Sequence, residues 1–128
     1  MEQHPAESPN LLYLDFRSAE SIRAALPASQ QLEPAASDAR ALGDPTRLTV
    51  AMALLHGGEL CVCDTAWVVG QRQGLVSYHL RQLKSAGLVS ARRQRQLMLY
   101  RLTQRGRALT EAISASVIVA TDQRPDRG

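Results

Sequence analysis

Between residues 44 and 102 the chain is punctuated so closely that only small elements fit. Asp44-Pro45 is a start signal, an acid able to cap a helix followed by a proline suited to its first turn. Gly57-Gly58, Gly70 and Gly87 are stops. The intervals hold a helix through Leu55, a short helix over residues 63–69, and a further helix over residues 74–86. Leu48, Ala51, Met52 and Leu55 recur at helical spacing and are expected to form the buried stripe of the first helix; Leu75, Val76, Leu80 and Leu83 do the same for the third. Trp67, the single tryptophan, is expected in the core.

Beyond Gly87, residues 88–93 and 97–102 read as two strands around Gln94-Arg95-Gln96. Two helices joined by the polar turn Gln71-Arg72-Gln73-Gly74 and followed by a β-ribbon make a winged helix-turn-helix, mainly α with a small β-hairpin. Thr103 is placed to cap a last helix reaching about Val119. Its small-residue apolar face, with Leu109, Ile113, Ser116 and Val117, is expected to pack on a symmetry mate, so a homodimer is expected.

At 128 residues the chain has the length of one domain, read here as an N-terminal arm (1–17), a winged-helix and dimerisation domain (18–120) and a disordered tail (121–128). The arm carries Pro5 and Pro9 without periodicity, yet residues 11–16 are too apolar to lie comfortably in water and are expected to dock. Ser18 is read as the cap of a short helix containing Ile22 and Leu26. A second helix is expected to start after Glu33, with Pro34 in its first turn, and to stop at Gly43.

The formal charge of +3 conceals an asymmetry. Residues 65–110 contain no Asp or Glu but carry Lys84 and eight arginines. Residues 1–44 hold seven acids against three arginines. A long acid-free basic block is the footprint of a polyanion binder, because each cation set against a phosphate releases a condensed counterion. No apolar run approaches the roughly 18 residues that would cross a bilayer, and no basic helix with aromatic anchors suggests a membrane surface. A catalytic reading finds no Ser/His/Asp grouping, Gly-rich phosphate loop or paired acids, so the chain is not expected to be an enzyme.

On the outer face of the third helix, Gln73, Ser77 and Arg81 share a side and offer the donors and acceptors that read base edges in a major groove of double-stranded operator DNA. Arg72 and Tyr78 are assigned to phosphates, and Lys84 lies on the same outer surface. His79 is open between base contact and a partly buried role bonded to backbone. Arg92, Arg93, Arg95 and Gln96 on the ribbon would add phosphate contacts; the bland alternative is a solvated charge cluster. His56 is read as a solvated group at a helix end rather than a ligand.

The two cysteines, Cys61 and Cys63, lie where the short helix over residues 63–69 is expected to begin. With no charged-then-apolar N-terminal segment they point to a reducing, cytoplasmic setting, where close thiols are ligands or reactive groups rather than a structural disulfide. Two residues two apart on a helix diverge by roughly 200°, so both can hold one ion only if Cys61 sits just ahead of the helix. A thiolate pair suits Cd, Pb, Hg, Zn or As/Sb, and it needs a further donor. Candidates are Asp64, then His4, Glu7 or Asp15 from the arm of either protomer, or a water or added thiol. Two alternatives stand beside this: buried cysteines acting as small hydrophobes, and a thiol switched by oxidation or modification.

Residues 41–103 resemble the ArsR/SmtB family of winged-helix, metal-responsive repressors through DPTR at 44–47, ELCVCD at 59–64 and VSYHLRQLKSAGLV at 76–89. The resemblance implies a cytoplasmic homodimer that holds operator DNA in the apo form and releases it on binding metal. The pattern departs from the family in its donors. Arsenic sensors commonly have a third cysteine where Ala66 stands, cadmium and lead sensors draw thiolates from an arm that here lacks Cys, and the last helix lacks the His and Asp pairs of zinc sensors.

Overall fold

The computed structural model describes residues 10–123, with side chains as far as Val117. Six helices and a three-stranded sheet run in the order α1 (Phe16–Ala25), α2 (Ser29–Ala41), α3 (Pro45–Gly57), β1 (Glu59–Cys61), α4 (Val62–Val69), α5 (Gln73–Ser85), β2 (Val89–Gln94), β3 (Leu97–Leu102) and α6 (Gln104–Gln123). The chain forms two compact units, residues 1–33 and 34–128.

In the first unit, α1 is capped by Asp15, whose carboxylate accepts from the Ser18 N–H at 2.7 Å, so the cap lies one turn ahead of the expected Ser18. That bond holds the Asp15 carboxyl below its usual range. No residue of α1 is buried, and Leu12 and Tyr13 are fully exposed. The next helix starts at Ser29 rather than after Glu33 and carries Pro34 in its interior. Gln31 explains the early start, since its side-chain oxygen accepts from the Ala28 N–H and satisfies a donor that the helix end leaves free.

The second unit is built around α3. Asp44 caps it by accepting from the Arg47 N–H at 2.9 Å, with Pro45 following as expected. Its buried residues are Val50, Ala51 and Leu54, whereas Leu48, Met52 and Leu55 are only partly covered, which shifts the expected stripe. The reason is tertiary: α4, α5, α6, β1 and β3 all pack on α3, so its apolar residues are spread around the helix instead of forming one stripe. Leu80, Leu83, Leu88 and Val76 complete the core with no exposed surface.

The sheet corrects a second expectation. Glu59–Cys61 is a strand, paired antiparallel to β3 with Cys61 opposite Leu99, so the ribbon of β2 and β3 grows into a sheet of order β1-β3-β2. Three residues bounded by glycines and a helix carry too little periodicity to reveal a strand whose partner is some forty residues away. The hairpin pairs Gln94 with Leu97, leaving Arg95 and Gln96 at the tip, and Arg95 takes the left-handed conformation at φ 59°.

The last helix starts as expected on Thr103, whose hydroxyl accepts from the Gly106 N–H at 3.1 Å and donates to the Gly87 carbonyl at 2.8 Å. It continues to Gln123, past the expected end; residues 124–128 of the expected tail lie outside the described residues. Arg105 leaves its first turn to grip Asp38 on α2 through two hydrogen bonds of 2.8 and 3.1 Å and also donates to the Ala86 carbonyl. The Arg105 guanidinium holds the buried Asp38 carboxyl below its usual range.

Candidate DNA-reading and thiol site

The two helices at the centre of the site are joined by a turn that the sequence enforces. Gly70 is left-handed at φ 71° and ψ 36°, and the Gln71 N–H returns to the Ala66 carbonyl at 3.1 Å, so α4 stops sharply and the chain is free to begin α5 two residues later. Arg72 stands at the N-cap of α5 without a side-chain capping bond.

Cys61 closes β1 and is itself the N-cap of α4, with extended backbone at φ −85° and ψ 169°. Its sulfur accepts from the Asp64 N–H at 3.5 Å, and the residue is 8% exposed. Cys63 lies inside the helix and is exposed. Its Sγ accepts a hydrogen bond from Nε2 of Gln73, the first residue of α5, at 3.5 Å. One turn on from Cys63, on the same side of α4, stands Trp67, 85% exposed rather than in the core. An eight-residue helix has few inward positions, and Thr65 and Ala66 take them.

On α5, Gln73 and Arg81 are exposed, and Ser77, partly covered, accepts a hydrogen bond from Nη1 of Arg81 at 2.9 Å. Gln73, Ser77 and Arg81 are therefore a continuous polar row. Arg72 and Lys84 are exposed at the two ends of the helix. Tyr78 is 42% exposed. His79 points the other way: it is 5% exposed and belongs to the inner face with Val76, Leu80 and Leu83. Of the two roles left open for it, the structure places it in the buried one, bonded to a side chain rather than to backbone.

That side chain is Arg47, which the sequence reading assigned no site role. Its Nε donates to Nδ1 of His79 at 3.2 Å, its Nη1 donates to the Ala41 carbonyl, and its guanidinium lies 5.9 Å from the centre of the Tyr78 ring. Asp44 completes the group with Oδ2 at 3.7 Å from Nε2 of His79. Because Nδ1 accepts from Arg47, the neutral imidazole carries its proton on Nε2, toward Asp44. Burial and then the Arg47 charge push the His79 pKa below 6.5, against a smaller opposing pull from Asp44. The DPTR segment thus supports α5 from behind.

The wing holds a second unforeseen contact. Arg92 makes a forked pair with Glu59 across the intervening β3, at 2.6 and 2.9 Å. The Arg92 guanidinium keeps the Glu59 carboxyl below its usual range. One of the arginines assigned to phosphate is therefore already engaged by a carboxylate of the cysteine-bearing strand. Arg93, Arg95 and Gln96 are exposed, toward the hairpin tip.

Among the described residues no group of three or more His, Cys, Asp or Glu could hold a metal ion. Asp15 belongs to the first unit and caps α1, while His4 and Glu7 lie outside the described residues. Cys61 and Cys63 fit a thiophilic ion in donor type and fall short of it in number. On α6, Leu109 and Ile113 are partly buried against the chain's own core, while Ser116 and Val117 are exposed. Among the described residues no helix is long and apolar enough to cross a membrane.

A short helix, a tight turn, a second helix with a polar outer row, and a basic hairpin define a winged helix-turn-helix protein. Residues 44–91 match the family described as bacterial regulatory protein, arsR family. The chain is 41% identical over 63 residues to a cadmium resistance transcriptional regulatory protein CadC homolog of Staphylococcus aureus, covering 49% of this chain and 52% of that protein. It is 40% identical over 65 residues to an uncharacterized HTH-type transcriptional regulator of Methanocaldococcus jannaschii, covering 51% of this chain and 73% of that one. The fold is similar to that of AntR, an antimony-specific transcriptional repressor, with a TM-score of 0.68 and 25% identity over 91% of this chain and 96% of that one. This chain belongs to the ArsR family of transcriptional regulators. It spans about half the length of the Staphylococcus relative.

Proposed function

We propose that this protein is a cytoplasmic, homodimeric repressor that binds a palindromic operator and releases it when a thiophilic metal or metalloid ion binds through Cys61 and Cys63. The observation that carries the reading is their position: they occupy the N-cap and the second residue of α4, the helix that leads through one tight turn into the polar row of α5. The similarity to a cadmium regulator and an antimony-specific repressor supports an ion of that class. Exposed Ser116 and Val117 on α6 are the proposed dimer-facing residues.

Two α5 helices in a dimer would enter successive major grooves, with Gln73, Ser77 and Arg81 toward base edges, Arg72, Tyr78 and Lys84 toward phosphates, and Arg93 and Arg95 along the flanking backbone. Cys61 and Cys63 would hold the ion, which supplies a soft cation for two thiolates; one further donor, from Asp64, the arm or solvent, completes it. Release is a linkage effect, so operator DNA must weaken ion binding by the factor by which the ion weakens DNA binding.

A Cys61→Ser/Cys63→Ser variant tests this, since serine preserves the N-cap of α4. Cadmium is expected to release DNA from the wild type and to lose that effect on the variant. Release that survives intact in the variant would place the sensor elsewhere. The exposure of Cys63 and the shortage of donors favour one alternative, a switch by thiol modification; release by peroxide but not by cadmium would establish it.

A further inference from the structure

The Cys63 sulfur and the first residue of the reading helix are already in contact without any ion. Gln73 is exposed, at the first position of α5, and its Nε2 donates to Cys63 Sγ at 3.5 Å. A glutamine reads adenine by presenting an N–H to N7 and its carbonyl to N6, which requires the amide plane and its orientation to be fixed. Gln73 has three side-chain torsions, and an unsupported exposed glutamine would have to order all of them on binding. The sulfur supplies the support. It takes one of the two amide N–H groups, leaving the other and the carbonyl available. Further along the row, Arg81 braces Ser77 in the same way at 2.9 Å. Each of these two reading residues has a partner that sets its orientation.

We infer that Cys63 is a positioning residue for operator recognition: it sets the Gln73 amide for base reading, independently of any ion it binds. This rests on the reading of α5 as the DNA-reading helix and adds a role for the thiol in the repressing state. It also gives the switch a local component, since a sulfur whose lone pairs are committed elsewhere can no longer hold Gln73.

The test uses the reduced full-length protein with a metal chelator and a randomised double-stranded DNA library, sequencing what is retained by wild type, Cys63→Ala, Gln73→Ala and the double variant. Cys63 is exposed, so the alanine is expected to leave thermal unfolding unchanged. The wild type should enrich a symmetric sequence. Cys63→Ala should lose about fivefold or more of its discrimination at one base pair per half-site, with other positions unaffected. In the Gln73→Ala background the same change should have no further effect, because a positioning role acts only through the residue positioned. A Cys63→Ala profile that matches the wild type, or one whose effect is the same with and without Gln73, overturns the inference while leaving the DNA-binding reading standing. A wild type that enriches no sequence removes the DNA-reading assignment itself, and this inference with it.

Discussion

Arg47 on α3 donates through Nε to Nδ1 of His79 on α5 at 3.2 Å, and this bond exists only while the imidazole is neutral. Protonating Nδ1 would set two donors against each other beside a fixed cation. Burial already holds the folded-state pKa of His79 below the 6.5 of a free histidine. The unfolded chain therefore binds the proton more readily, and the stability His79 contributes is present above about pH 6.5 and lost as pH falls toward the lower folded value. Thermal unfolding should be flat above neutrality and begin to decline as pH falls below about 6.5. A His79→Gln variant should lose that slope while keeping the decline at lower pH caused by Asp38 and Glu59, whose carboxyls are held low by arginines. A wild-type midpoint that does not move over the upper range would contradict the arrangement.

Glu59 engages the guanidinium of Arg92, which is proposed to face the phosphate backbone. Glu59→Gln removes the charge that engages the guanidinium at 2.6 Å and leaves the wing one unit more positive. DNA affinity at low salt should rise severalfold, and the slope of log affinity against log salt should steepen by up to about 1 per protomer. The check is a salt titration of both proteins on one duplex, and equal slopes would mean that Arg92 never approaches DNA.

The wing tip separates stability from binding. Arg95 adopts φ 59°, a conformation that costs an L-residue roughly 1–2 kcal/mol and a glycine almost nothing. Arg95→Gly should therefore leave the unfolding midpoint unchanged or slightly raised. It should also flatten the salt dependence of DNA binding by about 1 per protomer. A fall in stability with undiminished binding would reverse both assignments.

Gly106 packs α6 against the backbone at Leu88, and an added Cβ would run into the Leu88 carbonyl. The same carbonyl accepts from the Thr103 N–H at 2.9 Å, so it is not free to move aside. Gly106→Ala should destabilise the protein by about 2 kcal/mol or more, measured by chemical denaturation. A loss below about 0.5 kcal/mol would mean the contact is looser than described.

The parts legible in the sequence were those set by local chemistry. Asp44 and Thr103 start helices through their own side chains, Gly70 and Gly87 end them through left-handed backbone, and each stands where it was expected. The polar row of α5 was legible because Gln73, Ser77 and Arg81 sit four apart. What escaped the reading depends on residues far apart in the chain. β1 exists through its pairing with β3, Glu59 meets Arg92 thirty-three residues later, and Arg47 meets His79 thirty-two residues later. Trp67 was misplaced for a related reason, since residue type favours burial while an eight-residue helix had its inward positions filled by Thr65 and Ala66. At the thiols, the condition that Cys61 sit just ahead of the helix was legible from helical geometry and is met at the N-cap of α4, whereas the bond from Gln73 to Cys63 depends on how sharply Gly70 turns the chain.

In the proposed function, one protein both holds DNA through α5 and lets go of it through the cysteines. That function is tested most directly by fluorescence anisotropy of a labelled duplex carrying the enriched operator, titrated with reduced wild-type protein and then with cadmium. Binding should be saturable and salt-sensitive, fall by at least about tenfold in affinity as cadmium is added, and return when a chelator removes it. Operator binding that is unchanged at saturating cadmium, with the thiols reduced and accessible, would contradict it.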